Sequence, residues 1–141
     1  MMEGDMIDIF ITHDWHRRAD IDQITHCLDQ AFGLGWRNFG NPWYDPCIKL
    51  SSPEGAALVC EILETQVSPS HVLIFLPSVY STSSRGRTWA GAALDMARRY
   101  KIPVIGLLAD GAVPPPDVTD LADRWVGLSE LPQAVMAVSN P

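Results

Sequence analysis

The chain reads as a doubly wound α/β domain of flavodoxin-like type, a parallel five-stranded sheet in the order 2-1-3-4-5 with helices on both faces. Three observations predict it. Short apolar runs rich in β-branched residues alternate with amphipathic stretches of helical length. The clearest run, Val72-Leu73-Ile74-Phe75-Leu76, is apolar throughout, as expected of a strand covered on both faces. Five strands separated by helices imply right-handed crossovers and a parallel sheet. In such sheets ligands bind at the switch point, outside the carboxyl ends of strands one and three.

The elements follow in order. Met6 to Thr12 is the first strand. Arg17 to Phe32 is a helix with Ile21, Ile24, Leu28 and Phe32 on one face, ended by Gly33 and Gly35. Trp36 and Arg37 mark a short second strand, and Asn38 to Ser52 is loop-like, with Gly40, Pro42 and Pro46. Ser51 and Glu54 have capping-box spacing and Pro53 suits a first turn, so helix two is expected to run from there to about Val67. After strand three a polar loop extends from Pro77 to Arg87. Helix three is expected over Thr88–Tyr100, with Arg98, Arg99 and Lys101 opposing the helix dipole and Pro103 as its stop. Val104 to Leu108 is strand four. Gly111 to Asp117 is turn-rich, Arg124 to Gly127 is an edge strand, and Ser129 caps a last helix carrying Leu131, Val135 and Val138.

The 141 residues suit one domain, 1–141, with no internal repeat or linker. A formal charge of −7 argues against nucleic acid and anionic membranes as partners. It leaves a small anionic ligand open, since a helix N-terminus holds phosphate without net positive charge. No apolar run approaches the ~20 residues of a membrane span. Met1 to Asp5 lacks the basic and apolar regions of a signal peptide. A cytoplasmic location is expected. Three scattered cysteines, Cys27, Cys47 and Cys60, fit reduced thiols, with Cys27 and Cys60 as small buried groups.

Three loops carry the chemistry. Thr12-His13-Asp14-Trp15-His16 sits at the switch point, although Asp14 as a cap and Trp15 as local packing would explain it equally. Trp43-Tyr44-Asp45 offers rings that could stack on a base, or a small core for an irregular loop. Tyr80 to Arg87 combines hydroxyls, backbone amides and two arginines before a helix start, which suits phosphate; a solvated loop with Ser84 or Thr88 as cap is the plain alternative. No Walker loop, dinucleotide fingerprint, Ser-His-Asp elbow or convincing metal set is present, His13 and His16 lacking nearby thiol or carboxylate partners at ligand spacing. His26 and His71 read as structural or exposed. Leu76-Pro77-Ser78 stands where a phosphoacceptor receiver needs an aspartate, which argues against that class.

These residues together resemble a family. Phe10-Ile11-Thr12-His13-Asp14-Trp15 is similar to the opening of bacterial TIR-like domains. Trp36-Arg37-Asn38-Phe39 with Pro42 and Asp45-Pro46, then Tyr80 to Ser84 with Trp89, then Lys101 to Gly106, match its later segments in order. The resemblance covers nearly the whole chain and is nearest to the TIR proteins of Thoeris anti-phage defence. It implies a TIR fold and NAD as substrate, without a metal. Cleavage of the nicotinamide–ribose bond would yield a linear, cyclic or conjugated ADP-ribose signal for a downstream effector. A phage component would be the trigger, with TIR self-association as a further expectation.

The expected substrate-binding residues are Thr12, His13, Trp15, Phe39, Trp43, Asp45, Tyr80, Ser83, Ser84 and Trp89. The family's acid lies four residues after the tryptophan, on the same helical face. That position is Ala93, which cannot stabilise an oxocarbenium-like transition state. The preferred explanation is an engineered Glu→Ala change that traps ligand; a naturally inactive member is the other. Asp95 lies about 200° further around the helix and is expected to face elsewhere. A non-catalytic nucleotide-binding or TIR–TIR assembly module is the rival reading.

Overall fold

The structure, a computed structural model, describes residues 6–12, 19–38, 52–76, 84–108, 113–114, 116 and 119–139, with backbone alone at 19–20, 56, 59, 84–90 and 139. In chain order the elements are β1 (Ile7–Ile11), α1 (Ala19–Phe32), β2 (Trp36–Asn38), α2 (Pro53–Val67), β3 (Val72–Phe75), α3 (Ser84–Arg99), β4 (Val104–Leu107), β5 (Arg124–Val126) and α4 (Leu131–Ser139). Two 3-10 turns, Thr119–Leu121 and Leu128–Glu130, flank β5. All strands pair in parallel in the order β2-β1-β3-β4-β5. The expected flavodoxin-like α/β architecture is therefore the observed one.

The interior strands explain the core. All four residues of β3 and of β4 are buried, as are Ile9, Phe10 and Ile11 of β1. Ile21, Ile24 and Leu28 bring α1 onto the sheet, and Leu131, Ala134 and Val135 bring α4. Ala93, Leu94 and Ala97 bury one face of α3 in the same cluster, with α2 beside it. Each fully buried large aliphatic or aromatic side chain stabilises the fold by roughly 1.5–3 kcal/mol relative to exposure.

Several expected boundaries move. The cap of α2 is Ser52 rather than Ser51: its hydroxyl accepts from the Gly55 N–H at 3.0 Å, and Pro53 is the first helical residue. Counted from Ser52, the third helical position holds Gly55, so no capping box closes. Helix α3 starts at Ser84, four residues before the expected Thr88. Ser84, Arg85, Gly86 and Arg87 are thus helical, since a single glycine near the start costs only about 1 kcal/mol within a long alanine-containing helix. Ser129 does not cap the last helix; it lies inside the second 3-10 turn, which Gly127 opens. Cys27 and Cys60 are half-buried rather than buried.

The two helix ends that flank the sheet use left-handed residues. Gly33 has φ +57°, as its place after α1 requires. Lys101 has φ +58° after α3. There Ile102 N–H donates to Ala97 C=O at 2.7 Å and Lys101 N–H to Arg98 C=O at 3.2 Å, a Schellman closure built on a non-glycine residue.

Candidate functional site

The switch point is where β1 and β3 end side by side. Thr12 follows β1 and is fully buried. Its N–H donates to Ile74 C=O at 2.9 Å, a normal rung of a parallel ladder. The alternating pattern would direct the Leu76 N–H at the Thr12 carbonyl. That N–H goes instead to the Thr12 hydroxyl, at 3.1 Å. Among the described residues a side chain therefore makes the last link between the two strands. Thr12 is one of the expected substrate-binding residues, and in the structure its hydroxyl fastens β3 to β1.

Beyond β3 the chain enters α3, which carries three of the expected residues. Ser84 is its first residue, and Trp89 and Ala93 lie four apart on one unbroken helix, hence on one helical face. Ala93 is 1% exposed and packs in the core cluster with Leu94 and Ala97. Asp95 is exposed, 3.8 Å from Arg98, so it is a surface charge as expected. The fold thus brings Thr12 and the start of α3 to the same end of the sheet. His13, Trp15, Phe39, Trp43, Asp45, Tyr80 and Ser83 lie outside the described residues.

A polar set at the other end of β1 was not anticipated. Asp8, nearly buried, takes a two-pronged ion pair from Arg37 on β2: Nε to Oδ1 at 2.8 Å and an Nη to Oδ2 at 3.1 Å. The two are register partners, Asp8 opposite Arg37, so the pair fastens the three-residue strand β2 to the sheet. Its hydrogen bond to Asp8, and then the charge of that carboxylate, raise the Arg37 pKa. His71 completes the fastening: its Nδ1 accepts from the Asp8 N–H at 2.9 Å, and its own N–H donates to the Asp8 carbonyl at 2.7 Å. The one legible signal was a lone aspartate inside an apolar strand run.

Two concavities lie toward the amino ends of the strands, away from the switch point. One, of about 750 Å³, is lined by Ile7, Phe32, Gly35, Pro132 and Met136 among others. The other, of about 340 Å³, lies between the end of α3 and the approach to β5, with Arg98, Lys101, Asp120 and Asp123 on its walls. Neither includes Thr12 or Ala93. We place the candidate site at the switch point rather than in these cavities, because ligands of open α/β sheets bind outside the carboxyl strand ends. Among the described residues no three His, Cys, Asp or Glu side chains group as metal ligands, and no helix is long and apolar enough to cross a membrane. Burial pushes the Cys27 thiol pKa up; its Sγ lies 3.6 Å from the Leu128 carbonyl.

No protein-family model matches the chain, and no curated protein matches it either. Among solved structures it is similar to a Clostridium botulinum CMP N-glycosidase, BcmB, with a TM-score of 0.53 and 15% identity. The match covers 92% of this chain and 97% of that chain. A likeness at this identity is one of fold. It agrees with the flavodoxin-like α/β architecture.

Proposed function

We propose that this chain is a nucleotide-binding domain of the N-glycosidic-cleavage type, with NAD as its ligand, in which Ala93 stands where a cleaving enzyme carries a carboxylate. The observation that carries the reading is the course of α3. It begins at Ser84 and carries Trp89 and Ala93 on one face, with position 93 withdrawn from water. A carboxylate there would act at low local dielectric, where it stabilises a developing cation most strongly. The Clostridium botulinum neighbour, a CMP N-glycosidase, supports the same class of bond, a ribose carbon to a base nitrogen.

The chemistry with glutamate at position 93 is simple to balance. The bond between ribose C1′ and the nicotinamide nitrogen breaks, and its electron pair leaves with nicotinamide, which becomes neutral. The oxocarbenium-like ribose is then captured by water or by another nucleophile of the ADP-ribose. On this reading the parent enzyme makes an ADP-ribose-derived signal in anti-phage defence. The chain with Ala93 holds substrate and turns it over poorly. The tight packing of Ala93 also suits a domain that only senses nucleotide, which is the second reading.

The deciding experiment compares the chain with its Ala93→Glu variant. Each is incubated with NAD and, separately, with CMP. Released base is followed by chromatography and mass spectrometry, and binding by calorimetry. Binding by both forms with nicotinamide released by the glutamate form alone is the expected result. Cytosine release instead would move the substrate to nucleoside monophosphates. Binding without cleavage in either form would favour the sensor. A failure of both forms to bind either nucleotide would sink the proposal.

A further inference from the structure

The smaller concavity, of about 340 Å³, lies at the amino end of the sheet, where α3 finishes and the chain approaches β5. Ligand pockets begin at about 300 Å³, so this one suits a single small molecule. Its described walls carry both signs of charge. Arg98 and Lys101 stand at the end of α3, Asp120 in the 3-10 turn and Asp123 just before β5. Among the described residues no ion pair joins these two cations to these two carboxylates. The Arg98 guanidinium reaches Asp95, one turn back on its own helix, at 3.8 Å. The Lys101 ammonium and the Asp120 carboxylate have no partner among the described residues. Asp123 is held in place: its Oδ2 accepts from the Val104 N–H at 2.8 Å, and its own N–H donates to the Val104 carbonyl at 2.9 Å. Opposite charges therefore share one hollow without bridging it.

That balance selects a class of ligand. A simple anion entering the hollow meets two carboxylates, and a simple cation meets two basic groups. A molecule with one charge of each sign meets a partner for each. Ile102 and Leu121, half-buried in the same walls, suit a short apolar chain. Lys101 is a second pointer. It keeps a side chain at φ +58°, where glycine is the usual occupant, and so holds a cation on this wall against its backbone preference. We propose that this hollow is a second binding site, for a small zwitterion of the aliphatic α-amino acid class. The ligand's carboxylate pairs with Arg98 and Lys101, and its ammonium with Asp120 and Asp123. All four side chains are exposed, so the contacts are screened by water and binding is weak. The site lies away from the switch point and is independent of the nucleotide reading.

The test is a nuclear magnetic resonance titration of the isotope-labelled full chain with L-leucine. Isocaproate, which lacks the amine, and isoamylamine, which lacks the carboxylate, are titrated beside it. The expected result is saturable shifts at the backbone amides of Lys101, Leu121 and Asp123 with L-leucine, and binding roughly fivefold weaker for each single-charge relative. Lys101→Gln and Asp120→Asn each weaken L-leucine by a similar factor. Both positions are exposed, so circular dichroism and melting temperature stay unchanged. No saturable shift at this end of the sheet overturns the proposal. Equal binding of isocaproate or isoamylamine overturns it too, as does L-leucine binding untouched by both substitutions.

Discussion

Lys101 sits in a backbone conformation that L-residues avoid, and it does so at a helix end where glycine is the common solution. The left-handed region costs a side-chain-bearing residue roughly 1–2 kcal/mol. Glycine escapes that cost and returns part of it through the entropy of the unfolded chain. Lys101→Gly is therefore expected to stabilise the protein by about 1 kcal/mol, read as a rise of about 3 °C in melting temperature. A loss of stability would mean that the exposed lysine side chain holds the groove formed with Arg98 and Asp123. The contrast with Gly33 shows what residues reveal by themselves. A glycine after an amphipathic run announces the turn, whereas Lys101 announces only a charge suited to a helix dipole. Asp8 is a middle case: its place in an apolar run signals a partner, but Arg37 is identified only by the strand register.

At the scale of elements, the strands and helices were legible because the central strands β3 and β4 are covered on both faces and read as unbroken apolar runs. Helix starts were less so, since Ser51 and Ser52, or Ser84 and Thr88, offer near-equivalent caps and the choice depends on how neighbouring chain packs. The β4–β5 pairing hides a further dependence. Gly106 is the register partner of Trp125, and a Cβ on Gly106 would fall 2.4–2.6 Å from three indole ring atoms. The ring cannot slide away without loss. Its N–H donates to Thr119 C=O at 2.9 Å, and it lies tilted on Phe75 with centroids 6.3 Å apart. Gly106→Ala is therefore expected to destabilise by about 1–3 kcal/mol, the range for overpacking. Urea unfolding with a far-ultraviolet readout checks it; an unchanged midpoint would mean that Trp125 repacks without penalty.

At the scale of the whole molecule, the two described concavities lie toward the amino ends of the strands and the candidate site at the other end. The sheet order, and with it the switch point, was legible from the alternation of elements alone. The apolar groove at the other end was not, because it is made by Ile7, Phe32 and Met136, which are far apart in the chain and each unremarkable there. The net charge leads to a further expectation. If like charge opposes the compact state, raising salt to about 0.5 M, where the screening length is about 4 Å, raises the melting temperature of the full chain. A melting temperature that falls with salt would point to ion pairs such as Asp8–Arg37 as the larger effect. The ends differ also in how freely they can change over time. Among the described residues a threonine hydroxyl, not the backbone carbonyl, makes the final link between β1 and β3, so that link rests on the side chain at position 12 itself. Lineages carrying this fastening can lengthen, shorten or rewrite the loop that follows while the sheet beneath it stays closed. New ligand preferences can then arise there without a fresh solution to the folding problem.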